Sequence, residues 1–182
     1  PLHTPLRDDE VRGVAALLAP DILNLLNESP ASIAAETEEM HPADLADVAE
    51  ALPRERVADL LSSLPAERAA DVLEYLNEDL RSEILEAMTT RQAAELVTEM
   101  TADDRADTLE NLEEETTEGI LSEIPAAERA ETEKLLAYPP DSAGGLMTTE
   151  FVSVSEDTPV EETLAAVRRI ARSERREAMN TI

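Results

Sequence analysis

The sequence contains no cysteine and no tryptophan, and aromatic residues make up only 2% of its 182 positions. The absence of cysteine excludes a disulfide framework, a thiolate metal site and a cysteine nucleophile, and it favours an intracellular location. Because aromatic rings are scarce, a core must be built from aliphatic side chains, as short packed helices allow. Apolar residues supply 42% of the chain, so such a core is possible.

Basic residues are also scarce, since 15 lysines and arginines stand against 42 acidic residues, a formal net charge of −27. A surface this acidic repels nucleic acid phosphates and anionic membranes, and it attracts cations or basic partners. We therefore expect no nucleic-acid binding. The acidity by itself is equally compatible with solubility or with a salt-rich habitat.

No segment is apolar for long enough to span a bilayer. The longest mostly apolar run, Val14–Leu26, is broken by Pro20 and Asp21, whereas a spanning helix needs about 20 such residues. His3 and His41 have no evident catalytic partners, and no phosphate-binding loop or nucleophile motif is visible. We therefore expect a chain that neither inserts into a membrane nor acts as an enzyme.

A twelve-residue repeat begins near His41 and organises most of the chain. With His41 as position 1, positions 8, 9 and 12 are mostly aliphatic and position 6 is mostly alanine. Together with position 5 they form the apolar stripe of a helix of roughly two to three turns. Helices this short are marginal alone, so the units must stack into a superhelical solenoid. Before the repeat, we expect a helix over Asp8–Ala19 that Pro20 ends, and a second helix over Asp21–Leu26.

Position 7 of the repeat is almost always acidic and lies about 100° from position 8 around the helix. The pattern predicts a column of carboxylates along the solenoid, although an ordinary solvated face would carry the same residues. The residues are Asp47, Asp59, Asp71, Glu83, Glu95 and Asp107.

Asp103 and Asp107 are four residues apart and therefore share one helix face. Like charges so placed destabilise a helix unless a cation lies between them, and Mg²⁺ binds one or two carboxylates while keeping several waters. Thr101 followed by aspartates is also good helix-start chemistry without any metal. The spacing alone leaves both interpretations open.

The helical repeat ends in the segment Tyr138–Thr149, which reads YPPDSAGGLMTT. Adjacent Pro139 and Pro140 exclude a continuing helix, so we interpret the segment as a joint. After it, Phe151–Val154 alternates like a strand, a capping box and a proline begin a helix near Thr158, and residues 179–182 are expected to begin a second strand. At about 35 residues this β-α-β beginning cannot close a core. We therefore expect the chain to be part of a longer protein.

The motif AGGLMT, followed by FVSV and TPVEETL, resembles the MgtE family of magnesium channels and transporters. The resemblance is to the point where that family's cytosolic helical domain passes into the first cystathionine-β-synthase-type (CBS) domain. The repeat, with its opening HPADLAD, is similar to the helical domain itself. The expected organisation is an all-α superhelical solenoid over residues 1–137, a joint over 138–149 and an incomplete CBS domain over 150–182.

The resemblance implies a Mg²⁺ sensor on the cytoplasmic side of the cell membrane. In that family, Mg²⁺ ions between the acidic helical domain and the CBS domains hold the cytosolic part compact and keep the pore closed. The implied partners are the protein's own CBS and transmembrane domains, which this chain lacks, and a second subunit in a homodimer.

The family's metal-associated acidic positions fall on Asp71, Asp103 and Asp107, and Gly145 is expected to offer a backbone carbonyl. Asp71 stands where the family pattern leads us to expect glutamate, so its side chain is one methylene shorter. The repeat alone would also suit other helical scaffolds, including flagellar rotor-type proteins. The alternative is therefore a protein-interaction solenoid that recruits a basic partner and binds metal incidentally.

Overall fold

The computed structural model describes residues 8–148 and 154–173, and the part that it describes is all-helical. This part has eleven α-helices, of which the first ten are joined by short turns, and a 3₁₀ turn at Pro30–Ser32 lies between the first two. The helices are α1 (Asp8–Glu28), α2 (Ile33–Glu36), α3 (Pro42–Ala51), α4 (Arg54–Ser62), α5 (Ala66–Tyr75), α6 (Glu78–Ala87), α7 (Thr90–Thr98), α8 (Ala102–Glu110), α9 (Glu114–Glu123), α10 (Ala126–Leu136) and α11 (Val160–Ser173).

Helices two places apart in the sequence pack against each other. Helix α3 contacts α1 and α5, α7 contacts α5 and α9, and on the other side α6 contacts α4 and α8 while α8 contacts α10. Successive helices therefore alternate between two layers. The predicted array of short stacked helices is confirmed.

The core is aliphatic, as the composition requires. Positions 8 and 9 of the repeat are buried in helix after helix because each short helix has only one apolar face to place against its neighbours. The largest side chains below 2% exposure include Leu45, Leu60, Leu61, Leu73, Leu85, Leu109 and Ile120.

The turns use the helix-start residues that the repeat supplies. His41 precedes α3, and its Nδ1 accepts a hydrogen bond from the Ala43 amide at 3.2 Å. Thr89 and Gln92 form a reciprocal capping box at the start of α7. These side chains satisfy amides that a helix start otherwise leaves without partners.

Helix α1 differs from the prediction, because it continues through Pro20 to Glu28. Pro20 is exposed, whereas Ala19 and Ile22 on either side of it are buried in the core. A proline removes one intrahelical hydrogen bond, but on a solvent-facing side water can satisfy the released carbonyl. Packing on both sides of Pro20 therefore keeps one helix where the sequence predicted two.

The region after the joint is described only in part. The helix expected near Thr158 is present as α11, and Val154 belongs to no strand. Residues 151–153 and 179–182, where the strands were predicted, lie outside the described residues. The β-α-β fragment therefore stays a prediction. Within the described part, no helix is both long and apolar enough to cross a bilayer.

Candidate metal site on helix α8

Three aspartates, Asp103, Asp104 and Asp107, lie in the first two turns of α8. Asp104 takes part in the cap at the start of the helix. The Thr101 hydroxyl accepts a hydrogen bond from the Asp104 amide at 3.4 Å and donates one to the Asp104 carboxylate at 2.7 Å. This arrangement satisfies an amide of the first turn. Asp103 and Asp107 remain as the pair that shares a face.

The joint folds back onto this pair. The Thr148 hydroxyl donates a hydrogen bond to Asp103 Oδ1 at 3.3 Å, although the two residues are 45 positions apart in the sequence. Beside this contact, Met147 packs on a small cluster formed by Ala102 and Ala106 of α8 and Leu135 of α10. The segment that carries the two adjacent glycines is therefore anchored next to Asp103.

Both glycines of the joint are required by close packing. A Cβ at Gly145 would lie 2.5 Å from the Pro139 carbonyl oxygen, and a Cβ at Gly144 would overlap the Tyr138 ring. The Gly145 amide donates to the Ser142 carbonyl at 3.1 Å, which closes the turn. Because both glycines sit against the joint itself, neither can be replaced without moving it.

The electrostatic environment of Asp107 favours a positive neighbour. Partial burial raises the pKa of the Asp107 carboxyl above its ordinary value of 3.8, and the negative charges of Asp104, Asp103 and Glu110 raise it further, while Arg81 opposes them. A raised pKa means that the ionised carboxylate is destabilised where it stands. A cation bound there would relieve this repulsion.

Asp71 does not join the pair. It lies on α5, half-buried, and no group of three or more acidic or histidine side chains in the described part of the chain is arranged to hold a metal ion. The structure thus brings together Asp103, Asp107 and the segment that carries Gly145. It leaves Asp71 at a separate place.

The other position-7 carboxylates do not form one continuous column. Alternate packing divides the position-7 residues between the two layers of helices. Several also have arginine partners, in the pairs Arg54–Glu83, Arg56–Asp59 and Arg91–Glu95.

The residue that sequence reasoning missed is Arg105. It occupies position 5 of the repeat, which is aliphatic in Leu45, Val57, Ala69 and Ala93, and it is buried at 4% exposure. Arginine also holds position 5 in Arg81 and Arg129, so the repeat pattern gave no signal that singles out Arg105. A buried arginine on the same helix as the carboxylate pair also means that α8 is held by more than its apolar face.

By fold and site, the molecule is an acidic helical-repeat domain in which the joint after α10 lies beside a pair of carboxylates on α8. The chain belongs to the MgtE intracellular N domain family, whose model matches residues 40–141, more than half of its length. This finding confirms the resemblance inferred from the sequence.

Curated and solved relatives agree with the family. A 43-residue stretch is 56% identical to the magnesium transporter MgtE of Thermus thermophilus, and it covers 24% of this chain and 10% of that protein. The crystal structure of the cytosolic domain of the Mg²⁺ channel MgtE in complex with ATP matches with a TM-score of 0.76 and 32% identity, over 86% of this chain and 64% of that one. The crystal structure of the soluble part of a magnesium transporter has the same fold, with a TM-score of 0.69 and 24% identity, over 90% of this chain and 62% of that one. The chain thus spans less than two thirds of each relative.

Proposed function

We propose that this chain is the cytosolic Mg²⁺-sensing region of a magnesium channel or transporter. Mg²⁺ binding docks the acidic helical domain against the CBS region and favours the closed pore. Family membership supports the general assignment. The observation that supports the mechanism is the hydrogen bond from Thr148 to Asp103, which connects the segment after α10 with the candidate pair.

The residues present fit Mg²⁺ as a ligand. Mg²⁺ prefers oxygen donors and is commonly held by one or two carboxylates with waters completing the shell. Asp103 and Asp107 supply two carboxylates on one helix face, and the pKa of Asp107 is raised first by partial burial and then by the neighbouring negative charges. Gly145 would add its carbonyl oxygen. Asp71 would hold a separate ion, together with groups from elsewhere in the assembly.

The mechanism is a shift between two arrangements of the domains. A net charge of −27 makes the cytosolic part repel itself, and bound divalent cations offset that repulsion only where two surfaces meet. Mg²⁺ therefore binds the docked arrangement more tightly and raises its population. When Mg²⁺ is scarce, the domains separate and the pore can open.

We also propose where the chain lies in the cell and which domains it acts on. The chain would lie on the cytoplasmic side of the membrane, like the cytosolic domain of the Mg²⁺ channel MgtE that it resembles. It would act on the CBS and transmembrane domains of the same protein within a homodimer. Mg²⁺ would be both the regulator bound here and the ion transported elsewhere.

The docking step can be measured by electron paramagnetic resonance. The chain has no cysteine, so spin labels at Ser62→Cys and Ala165→Cys report only the distance between α4 and α11. We expect Mg²⁺ to narrow the distance distribution, and Asp103→Asn/Asp107→Asn to abolish the narrowing. A labelled pair within the array, Ser62→Cys with Ser122→Cys, is the control and should not respond. A distribution between α4 and α11 that ignores Mg²⁺ would contradict docking.

One observation favours the alternative, a scaffold that recruits a basic partner. Helix α1 exposes Val14 at 58% and Leu17 at 77%, beside a cleft of about 390 Å³ whose lining includes Glu39 and Asp44. An apolar stripe with an acidic rim complements a basic amphipathic helix. If Mg²⁺ leaves the label distances unchanged while a basic amphipathic peptide binds at this cleft, the scaffold is the better assignment.

A further inference from the structure

Arg105 is a fully bonded cation inside the helix that carries the candidate site. A guanidinium has five N–H donors in a rigid fork, and the structure gives each a partner. Nε donates to the Val97 carbonyl at 2.8 Å, and Nη2 donates to the carbonyls of Thr98 at 3.3 Å and Met100 at 2.8 Å. Nη1 donates to the Glu128 carbonyl at 3.2 Å and to Thr132 Oγ1 at 3.0 Å.

These acceptors belong to different elements. Val97 and Thr98 end α7 and Met100 lies in the turn before α8, whereas Glu128 and Thr132 lie on α10. Arg105 thus ties α8 to the preceding turn and to the helix that leads into the joint. Helix α10 also supplies Leu135, which forms a small apolar cluster with α8. Met147 of the joint packs on this cluster.

The positive charge of Arg105 cannot itself favour the binding of a cation at Asp103 and Asp107. Arg105 lies two residues from Asp103 and two from Asp107, so its positive charge opposes Mg²⁺ binding by Coulomb repulsion. Any benefit to the site must therefore come from geometry. The geometry is the fixed spacing of α8 and α10, which decides where the joint meets the aspartates.

We propose that Arg105 is a positioning residue that sets the Mg²⁺ affinity of the Asp103–Asp107 site. It holds α8 and α10 in register so that the joint, with Gly145, lies beside the two carboxylates. This inference rests on the proposed function. It concerns a residue outside the set that the family resemblance implied.

The test is the Mg²⁺ dissociation constant of the 182-residue chain, measured by heteronuclear NMR from the amide shifts of Asp103, Asp107 and Thr148. We expect Arg105→Met and Arg105→Lys both to weaken binding by roughly tenfold, as loss of supporting contacts at metal sites does. Lysine keeps the charge but cannot reproduce the five-donor fork. Thr132→Val, which removes one acceptor, should weaken binding less and in the same direction.

Arg68→Met is the matched control. Arg68 on α5 is half-buried and, like Arg105, donates to backbone carbonyls, those of Thr37 and Met40, but it contacts neither α8 nor α10 through these bonds. It should lower the melting temperature and leave Mg²⁺ affinity unchanged. Thr132→Val keeps the test decisive if the Arg105 variants do not fold.

Each outcome decides one question. Weaker binding in the Lys, Met and Val variants supports positioning. Tighter Mg²⁺ binding in Arg105→Met, with wild-type affinity in Arg105→Lys, would mean that Arg105 acts only through its charge. Mg²⁺ affinities of the Arg105 variants equal to that of Arg68→Met would mean that Arg105 is merely structural. Either result overturns the inference. Absence of saturable Mg²⁺ shifts in the wild type would instead overturn the proposed function, and the inference with it.

Discussion

At the scale of single residues, Asp107 has a clearly shifted pKa, which links its charge to the stability of the fold. Its pKa is raised above the ordinary 3.8, so the folded state holds the proton more tightly than the unfolded state does. The stability this contributes is present below about pH 3.8 and is lost as the pH rises through the folded pKa. At neutral pH and without Mg²⁺, ionised Asp107 therefore destabilises the fold.

We accordingly predict that Asp107→Asn stabilises the metal-free chain at neutral pH. Partial burial and like-charge repulsion both destabilise the ionised carboxylate. A like-charge pair four residues apart costs about 0.5 kcal/mol or less, and because the burial is only partial we expect a rise of only about 1–2 °C in melting temperature. The difference from wild type should shrink as the pH falls towards 4. Thermal unfolding over this pH range measures it.

Asp59→Asn is the control, because Asp59 holds the same repeat position as Asp107 but accepts a hydrogen bond from Arg56 Nε at 2.8 Å. It should be neutral or slightly destabilising. A destabilised metal-free Asp107→Asn would mean that the carboxylate already has a favourable partner, which contradicts the account of its pKa.

The residue scale is also where sequence reasoning reached its limit. Asp103 and Asp107 could be paired from their spacing, because a helix fixes which residues share a face. Arg105 could not be placed, since only the assembled carbonyls of α7 and α10 make its burial favourable. The contact of Thr148 with Asp103 spans 45 positions, and no local pattern encodes it.

At the scale of elements, the repeat predicted the helices because each unit carries its own start residue and apolar stripe. Pro53, Pro65 and Pro125 immediately precede α4, α5 and α10 as expected. Pro20 does not end α1 as predicted, because packing of Ala19 and Ile22 on both sides of the proline outweighs its local tendency to break a helix.

The continuity of α1 leads to a prediction for Pro20→Ala. An exposed interior proline lacks one helix hydrogen bond, so restoring it should stabilise the chain by about 1 kcal/mol, or roughly 2–4 °C in melting temperature for a chain of this size. Circular dichroism during thermal unfolding measures the change.

Pro42→Ala provides the comparison, because Pro42 begins α3 at a position that favours proline. This variant should gain nothing. If Pro20→Ala were neutral or destabilising as well, α1 would end at Pro20, as the sequence pattern first indicated.

At the scale of the whole molecule, the arrangement of layers accounts for what the repeat could not predict. A period of twelve residues was visible, but the alternation between two layers was not. That alternation separates position-7 residues that the sequence placed in one column. It also leaves Asp71 on α5 apart from the pair on α8.

The proposed function requires that Mg²⁺ stabilise the chain through a specific site and not through general screening of its charge. A ligand that binds only the folded state stabilises it by about 2.7 kcal/mol at a hundred times its dissociation constant. For a chain of this size that corresponds to a rise of roughly 5–10 °C in melting temperature. General screening by salt has no such saturation and no dependence on one pair of residues.

The most direct measurement is therefore the melting temperature against Mg²⁺ concentration, with NaCl at matched ionic strength, for the wild type and for Asp103→Asn/Asp107→Asn. The account predicts a saturable rise that is specific to Mg²⁺ and largely absent from the double variant. An equal rise with NaCl, or an undiminished rise in the double variant, would contradict a magnesium site on α8.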